Sequence, residues 1–330
     1  MRMQCVRSWL TSIRCPEGGR RKRVSARISV VSLAILAGAL PALADCRIPE
    51  GQEERLAQVQ RLALQTHSAD QMNCAADTAI AAAAAAPDSV EVHALALGTL
   101  SQAIDLLSSL KRADLMGVDT ALIARIQELS QAGLEVGVRA RALAPDSPDI
   151  KLLHALLLVV SSPWLEVEQS VATVREAMTL LSAVVDEAPD TLGGLAQTVL
   201  GRIYFELPPL LGGDLARSVA LLEDAVKRNP ANIQALRYLA ESYDQELEEA
   251  RSTETLHLMV PLEPGPGEYQ LFADEWRLAQ GLAGRLHATE LRDALAAKRQ
   301  ALLEVHPELL TRESTAVGGH GGDNPLSGTR

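Results

Sequence analysis

Aromatic residues are scarce in this sequence, at 3% of 330 residues, and signals for β-strands are almost absent. No stretch sustains the alternation of Val, Ile, Thr or Tyr that strands show, and no Asn-Gly pair marks a hairpin turn. Apolar residues recur instead at steps of three and four, as in the face formed by Leu100, Ala103, Ile104 and Leu107. The absences argue against a β-rich domain, and the periodicity predicts an all-α fold.

Motifs that assemble a catalytic or metal site are also missing. The sequence contains no His-Glu-x-x-His, no Cys-x-x-Cys and no glycine-rich loop of the kind that cradles phosphates. The histidines are scattered, without a pair at ligand spacing on one predicted helix. No nucleophile is placed beside a candidate base. We therefore expect a binding protein rather than an enzyme, with no catalytic residues, no metal and no cofactor.

Acidic residues are almost absent from the first 44 residues, where eight Lys and Arg side chains oppose only Glu17. An uncharged apolar run extends from Ile28 to Leu43 and closes on the small residues Ala42 and Ala44. A basic stretch, a short apolar stretch and a small-x-small site are typical of a secretory signal peptide. The run is shorter than the roughly 20 residues of a membrane span. We therefore predict a signal peptide over 1–44 and a periplasmic protein, with an uncleaved anchor as the alternative.

Cysteine is rare, and only Cys46 and Cys74 of the four cysteines follow the predicted cleavage site. Lipid attachment favours a small residue directly before the cysteine, whereas Asp45 precedes Cys46. We therefore expect cleavage after Ala44 and no lipid anchor. In an oxidising compartment, Cys46 and Cys74 are expected to form a disulfide between the N-terminal extension and the first long helix. Two unpaired thiols are the alternative.

The predicted mature chain is strongly acidic. Removing residues 1–44, whose net charge is +7, changes the net charge from −11 to −18. Such a body argues against nucleic acid and anionic membrane surfaces as partners. The C-terminal residues lack apolar periodicity and include the glycine-rich stretch 318–322. We therefore predict a helical domain over 45–310 and a disordered tail over 311–330.

A proline-containing turn recurs along the helical region. It reads Ala-Pro-Asp at 86–88, 144–146 and 188–190, and Asn-Pro-Ala-Asn at 229–232. Proline ends the helix before it, and Asp or Asn can cap the helix after it. A helix pair alone cannot bury its apolar face, so the pairs are expected to stack as one solenoid. The predicted pairs, about five in number, are 51–87, 89–145, 148–189, 191–230 and 231–284, followed by a last helix over 287–305.

Residues 191–244 resemble tetratricopeptide repeats. The first helix of that repeat carries Leu-Gly or Leu-Ala, with Tyr three residues after the small residue. The pattern Leu-Gly-x-x-Tyr occurs at 200–204, and Leu-Ala-x-x-Tyr follows at 239–243. The second helix matches at its small, apolar and terminal proline positions, which are Ser218, Leu222, Ala225 and Pro230. The resemblance implies a tetratricopeptide-like helix-hairpin solenoid that binds other proteins.

The segment between Tyr204 and Ser218 is about five residues longer than the repeat requires. The central part of this segment, residues 207–213, reads Leu-Pro-Pro-Leu-Leu-Gly-Gly. Exposing a leucine costs roughly 1.5–3 kcal/mol relative to burying it. The loop is therefore expected either to fold back onto the solenoid or to form an interaction surface through Leu210 and Leu211.

The stretch Tyr-Phe-x-Leu-Pro-x-x-x-Gly-Gly-Asp at 204–214 leads into a repeat that ends at Pro230. This stretch is similar to the T-component of tripartite ATP-independent periplasmic (TRAP) transporters, and the resemblance covers residues 191–250. Such proteins are exported and helical, and associate with the periplasmic substrate-binding subunit, some as trimers with an apolar pore. The resemblance implies a periplasmic protein partner and a homo-oligomer. This sequence departs from the family in lacking a lipid-attachment box and in its Pro-rich break at 261–267.

In a tetratricopeptide pair, the first helix faces the concave groove. Positions off the packing face predict the groove residues, which are Thr198, Arg202, Phe205, Gln234, Arg237, Glu241 and Asp244. Arg202 and Arg237 are conspicuous in an acidic chain, because each offers a fork of donors to the carboxylates of a partner. The alternative is that they pair with Glu206 and Glu241 across the surface of their own helices.

Three functions fit these features. The first is a periplasmic partner of TRAP substrate-binding components. The second is a tetratricopeptide adaptor in envelope assembly, and the third is a carrier of an apolar small ligand in a cavity within the superhelix. A neighbouring gene for a TRAP binding protein would favour the first over the second, and a co-purified apolar ligand would favour the third.

Overall fold

The computed structural model describes residues 46–65, 69–113, 120–265 and 267–309. The predicted signal peptide and the predicted tail at 311–330 lie outside the described residues. The described part contains twelve α-helices and no strand. Their bounds are α1 Gln52–Gln65, α2 Ala69–Ala85, α3 Val90–Ala113, α4 Thr120–Leu143, α5 Pro148–Ser161, α6 Val167–Glu187, α7 Leu195–Glu206, α8 Leu215–Arg228, α9 Ile233–Gln245, α10 Glu249–His257, α11 Tyr269–Arg285 and α12 Thr289–Val305.

Consecutive helices pack as antiparallel hairpins, and the hairpins stack along the chain. Each odd-numbered helix packs against the even-numbered helix that follows it. The second helix of one hairpin also contacts the first helix of the next, as α4 contacts α5 and α8 contacts α9. Each hairpin buries its apolar face against a neighbour, and the buried apolar residues that the structure describes form four clusters along the stack. The all-α helix-hairpin solenoid predicted from the sequence is confirmed.

The C-terminal pairing differs from the sequence prediction. The sequence predicts one helix pair over 231–284 and a single last helix over 287–305. In the structure, α9 pairs with the short helix α10, and α11 pairs with α12. The segment between α10 and α11 contains Pro261 and Pro264, which cannot continue a helix. The described part of the chain therefore forms six hairpins rather than five.

Polar side chains cap helices that follow the proline turns. Asn232 accepts a hydrogen bond from the backbone N–H of Ala235 at 3.0 Å and so begins α9. Ser89 and Ser147 accept equivalent hydrogen bonds at the start of α3 and α5. Each cap satisfies a backbone donor that the first turn of the helix leaves free. The sequence predicts Asp or Asn in this role, and serine takes it at two of the turns.

The residues that carry the repeat pattern lie in the core. Leu222 of α8 is fully buried against α7. A Cβ added at Gly201 would lie 2.8 Å from Cγ of Leu222, so the two helices approach this closely because position 201 has no side chain. Tyr204 and Tyr243, the aromatic positions of successive first helices, are both buried. The pattern at 191–244 therefore describes the packing that the structure shows.

One of the described helices is long and apolar enough to cross a membrane by length and composition alone. This is α3, in the stretch Val90–Ser109, where the mean hydropathy is 1.2. Buried residues make up 67% of that stretch, and Leu97, Leu100 and Ile104 among them are fully buried. They pack within the solenoid, where α3 contacts α2, α4 and α5.

A disulfide joins Cys46 to Cys74, with their Cα atoms 5.3 Å apart. It fastens the segment before α1 to α2, the helix against which α1 packs. Gln58 of α1 lies beside this bond and donates hydrogen bonds to Sγ of Cys74 at 3.3 Å and to Oγ1 of Thr78 at 3.2 Å. The first hairpin is therefore closed by a covalent bond as well as by packing.

We expect Cys46 and Cys74 to resist alkylation in the native, unreduced protein and to react after reduction. Because 28 residues separate them, the chain-entropy model gives a stabilisation of about 3–4 kcal/mol. Peptide mass spectrometry after iodoacetamide treatment, with and without dithiothreitol, measures both states. Alkylation of both Cys46 and Cys74 in unreduced material would contradict the disulfide.

Candidate functional site

Two arginines form the centre of a buried charge cluster on the first helices of the last three hairpins. Arg202 lies on α7 and Arg237 lies on α9, one hairpin further along the chain. Their side chains are only 6% and 3% exposed. A buried charge is costly unless partners compensate it. We call the cluster the charge network, and its members are Arg202, Glu206, Arg237, Tyr238, Glu241 and Glu275.

Each arginine connects its own helix to the next first helix. Arg202 forms ion pairs with Glu206, one turn along α7, and with Glu241 of α9, both at 2.5 Å. Arg237 pairs with the other carboxylate oxygen of Glu241 at 2.6 Å and with Glu275 of α11. Glu241 is therefore shared by two arginines, and the charge network ties α7, α9 and α11 together.

Tyr238 lies close to both guanidinium groups. Its ring centroid is 4.5 Å from the guanidinium carbon of Arg202 and 4.4 Å from that of Arg237. The face of an aromatic ring attracts cations, most strongly where water is excluded. Tyr238 is fully buried, and this burial raises the pKa of its phenol. The ring therefore contributes attraction to both cations.

The groups of the charge network differ in how strongly their ionised forms are stabilised. Burial opposes the charge of Arg237, but the carboxylates of Glu275 and Glu241 outweigh it and raise the pKa of the guanidinium. Burial also opposes the charge of Glu241, and Arg237 and Arg202 outweigh it, so the pKa of this carboxyl is lowered. For Glu206, burial and the nearby charge of Glu241 outweigh the two arginines, so the pKa of this carboxyl is raised. Glu241 is therefore a firmly ionised centre between two permanent cations.

The predicted groove residues are mostly buried rather than open to a partner. Counted over the whole residue, Thr198, Arg202, Gln234 and Arg237 are 0%, 5%, 4% and 2% exposed. The arginine side chains lie between neighbouring first helices, where carboxylates of this chain form ion pairs with both guanidinium groups. The expectation that these four residues line an open groove is therefore wrong. The alternative, that the arginines pair within the chain, is what the structure shows.

The other three predicted groove residues, Phe205, Glu241 and Asp244, are partly buried. The guanidinium carbon of Arg202 lies 4.7 Å from the ring centroid of Phe205. Glu241 belongs to the charge network itself. Asp244 lies 3.7 Å from the guanidinium of Arg285, which is well exposed on α11. Of these three, Phe205 is nearest in the chain to an exposed feature that begins two residues later, at position 207.

That feature is the α7–α8 loop, residues 207–213. Leu207 begins the loop and packs against the core beside α7. Leu210 and Leu211, in a short 3-10 turn, are 98% and 47% exposed. The sequence leaves open whether the loop folds back or forms a surface. The structure divides the loop, because Leu207 packs inward while Leu210 and Leu211 face solvent.

Backbone hydrogen bonds hold the α7–α8 loop in one conformation. The N–H groups of Leu211 and Gly213 donate to the carbonyl oxygen of Pro208 at 2.8 and 3.1 Å. Gly212 has φ +94°, a left-handed conformation that favours glycine. A Cβ at Gly213 would lie 1.8 Å from the carbonyl oxygen of Leu207, so no side chain fits there. The two glycines and the proline therefore present the leucines on a defined backbone.

Two members of the charge network, Tyr238 and Glu275, were not predicted from the sequence. Glu275 lies on α11, which the sequence prediction pairs with the wrong helix. One signal was present, because Asp274 and Glu275 stand between the large apolar residues Phe272 and Trp276. Acidic residues inside an apolar helical stretch indicate a buried partner of opposite charge. Among the described residues, no group of three or more His, Cys, Asp or Glu side chains is arranged to hold a metal ion.

No protein-family model matches this sequence, and no curated protein matches it. Among solved structures, the crystal structure of a thermophilic TPR protein from Thermus thermophilus is similar to this chain, with a TM-score of 0.42 and 18% sequence identity. The similarity covers 63% of this chain and 98% of that protein.

Proposed function

We propose that this chain is an exported, periplasmic binding scaffold that docks a protein partner through its α7–α8 loop. We further propose that the partner is the substrate-binding subunit of a TRAP transporter. The observation that carries the proposal is the almost complete exposure of Leu210 on a loop whose backbone is held by hydrogen bonds. The helix-hairpin solenoid is the frame that presents this loop.

The exposed leucines favour binding of the loop to another protein, because binding would bury them. Burying one leucine contributes roughly 1.5–3 kcal/mol relative to leaving it in water. The backbone of the loop is already ordered by Pro208, Pro209 and its internal hydrogen bonds, so docking costs little further backbone entropy. Leu210 and Leu211 therefore favour transfer into an apolar depression on another protein.

The charge network supports the loop from inside the solenoid. Glu206 is the last residue of α7 and directly precedes the loop. Its ion pair with Arg202 joins this last residue of α7 to a residue one turn earlier in the helix. Arg202 in turn is anchored by Glu241 of the next hairpin. In this proposal, the arginines position the binding loop rather than contact the partner.

The TRAP assignment is supported by the resemblance at 204–214. The residues that match that family include Leu207, Gly212 and Gly213, which build the conformation of the loop. The signal-peptide features of residues 1–44 support export to the compartment in which TRAP substrate-binding subunits work. The strongly acidic body is consistent with a protein partner rather than a nucleic acid.

Replacing Leu210 and Leu211 together with serine should weaken the binding of a TRAP substrate-binding subunit from the same genome by about tenfold or more. Both side chains face solvent, so the fold should be retained. Biolayer interferometry measures the dissociation constant, and a circular-dichroism melt checks the fold.

The control variant replaces Val167 and Leu258 with serine, because these apolar residues are 78% and 53% exposed on other elements. It should bind as the unmodified chain does. A folded loop variant with unchanged affinity would show that the docking surface lies elsewhere. If the unmodified chain captures other envelope proteins in a pull-down but no TRAP subunit, the adaptor function replaces the TRAP assignment.

A further inference from the structure

A cleft lies at the C-terminal end of the described solenoid, where residues within 263–306 form its lining. The cleft has a volume of about 310 Å³ and opens between the α10–α11 segment and the last hairpin. The residues that define its chemistry are Glu263, Tyr269, Trp276, Lys298, Leu302 and His306. A concave site with apolar walls and few charged groups is the usual form of a small-molecule site.

Aromatic rings form two walls of the cleft. Trp276 is held in place because its indole N–H donates to the carbonyl oxygen of Met259 at 3.2 Å. The ring of Phe272 contacts it edge-on, with the centroids 5.3 Å apart. Tyr269 and His306 stack on each other, with centroids 3.9 Å apart. The walls are therefore fixed by contacts within the protein and do not depend on a ligand.

Lys298 and Glu263 bring one charge of each sign to the cleft and form an ion pair with each other. The ammonium of Lys298 lies 5.5 Å from the ring centroid of Trp276, and its side chain is 26% exposed. The side chain of Glu263 is 74% exposed and comes from the segment between two helices. Exposed ion pairs contribute little to stability. Glu263 can therefore turn into water at small cost, whereas Lys298 stays over the indole ring.

We propose that this cleft binds a small monocarboxylate with an aromatic or aliphatic body. The carboxylate of the ligand replaces Glu263 as the partner of the Lys298 ammonium. Its apolar body lies against Tyr269 and the exposed Val305, and Trp276, which is only 1% exposed, forms the floor of the cleft under Lys298. A cationic ligand is disfavoured, because Lys298 already occupies the position next to the indole ring that a cation would take. The inference is independent of the proposed function, which concerns a different hairpin.

3-Phenylpropionate is the test ligand, titrated into the full chain by isothermal calorimetry. The sequence contains three tryptophans, so a Trp9→Phe, Trp164→Phe variant retains only Trp276 as a local fluorescent reporter. We expect saturable binding and a saturable change in the fluorescence of Trp276. The Lys298→Met variant keeps the contact with the ring but lacks the charge, and should bind about 10- to 100-fold more weakly.

The Glu263→Gln variant should bind about two- to fivefold more tightly, because the competing carboxylate is gone. Opposite effects of the two variants separate a carboxylate site from general adsorption or from a loss of folding, which circular dichroism checks. The neutral 3-phenylpropanamide should bind as weakly as the acid binds to Lys298→Met. The proposal is overturned if 3-phenylpropylamine binds more tightly than the acid. It is also overturned if folded Lys298→Met binds the acid unchanged, or if no saturable signal appears.

Discussion

Replacing Arg237 with methionine should lower the free energy of unfolding by about 3–5 kcal/mol. Methionine retains the apolar stem, but Glu275, which is only 3% exposed, loses the cation that compensates it. Glu241 keeps one arginine of its two. A buried carboxylate without a partner must either take up a proton or bring water into the core. Urea denaturation at pH 7, followed by far-UV circular dichroism, measures the loss.

Arg251→Met is the matched control, because Arg251 also pairs with two glutamates and lies 4.0 Å from a tyrosine ring, but its side chain is 48% exposed. Water replaces its partners, so the urea midpoint should move far less. Adding Glu275→Leu to Arg237→Met should restore part of the stability, because the uncompensated charge is removed. Without that recovery, lost packing rather than lost charge would explain the effect.

The hairpins could be predicted because their signals are local in the sequence. Apolar residues at three- and four-residue steps form one face of each helix, and a proline turn ends the helix before it. The first four predicted pairs therefore coincide with α1 to α8. Leu200, Tyr204 and Leu222 also lie in the core as the repeat pattern requires. The close approach of Gly201 to Leu222 depends only on residues of the same hairpin.

The burial of Arg202 and Arg237 could not be predicted in this way, because it depends on contacts between hairpins. The angle between successive hairpins decides whether a polar residue of a first helix faces a groove or a neighbouring helix. One signal is visible in retrospect. Glu241 follows Arg202 by 39 residues and Glu275 follows Arg237 by 38 residues. In both pairs, an arginine is followed about one hairpin later by the glutamate with which it pairs. A comparison of apolar positions between repeats does not detect such a pattern, because it ignores charged residues.

The α7–α8 loop could be predicted in part. Its two prolines and two glycines predict an irregular segment, and the structure contains one. The direction of each leucine depends on the close approach of Gly213 to the carbonyl of Leu207, which is not a property of composition. The sequence therefore indicates the segment that carries the candidate surface, and the structure indicates which two of its three leucines form it.

Leu222→Ala should lower the free energy of unfolding by about 2–5 kcal/mol, because a fully buried side chain is replaced by a cavity between α7 and α8. Gly201→Ala should lower it by about 1–3 kcal/mol for the opposite reason. The added methyl group would lie 2.8 Å from Cγ of Leu222 and 3.3 Å from the carbonyl oxygen of Ser218. Urea denaturation of both variants measures the two effects.

The two substitutions should compensate when they are combined. In the Leu222→Ala background, the Leu222 atoms that a methyl group at position 201 would overlap are absent and only the carbonyl oxygen of Ser218 remains close, so alanine fills part of the cavity. The loss in the double variant should fall short of the sum of the single losses by about 1–3 kcal/mol. Gly201→Ala combined with Leu303→Ala, a buried site on α12 in a separate part of the core, should be additive. Additive losses in both pairs would mean that position 201 does not face Leu222, and that α7 and α8 are packed in a different register.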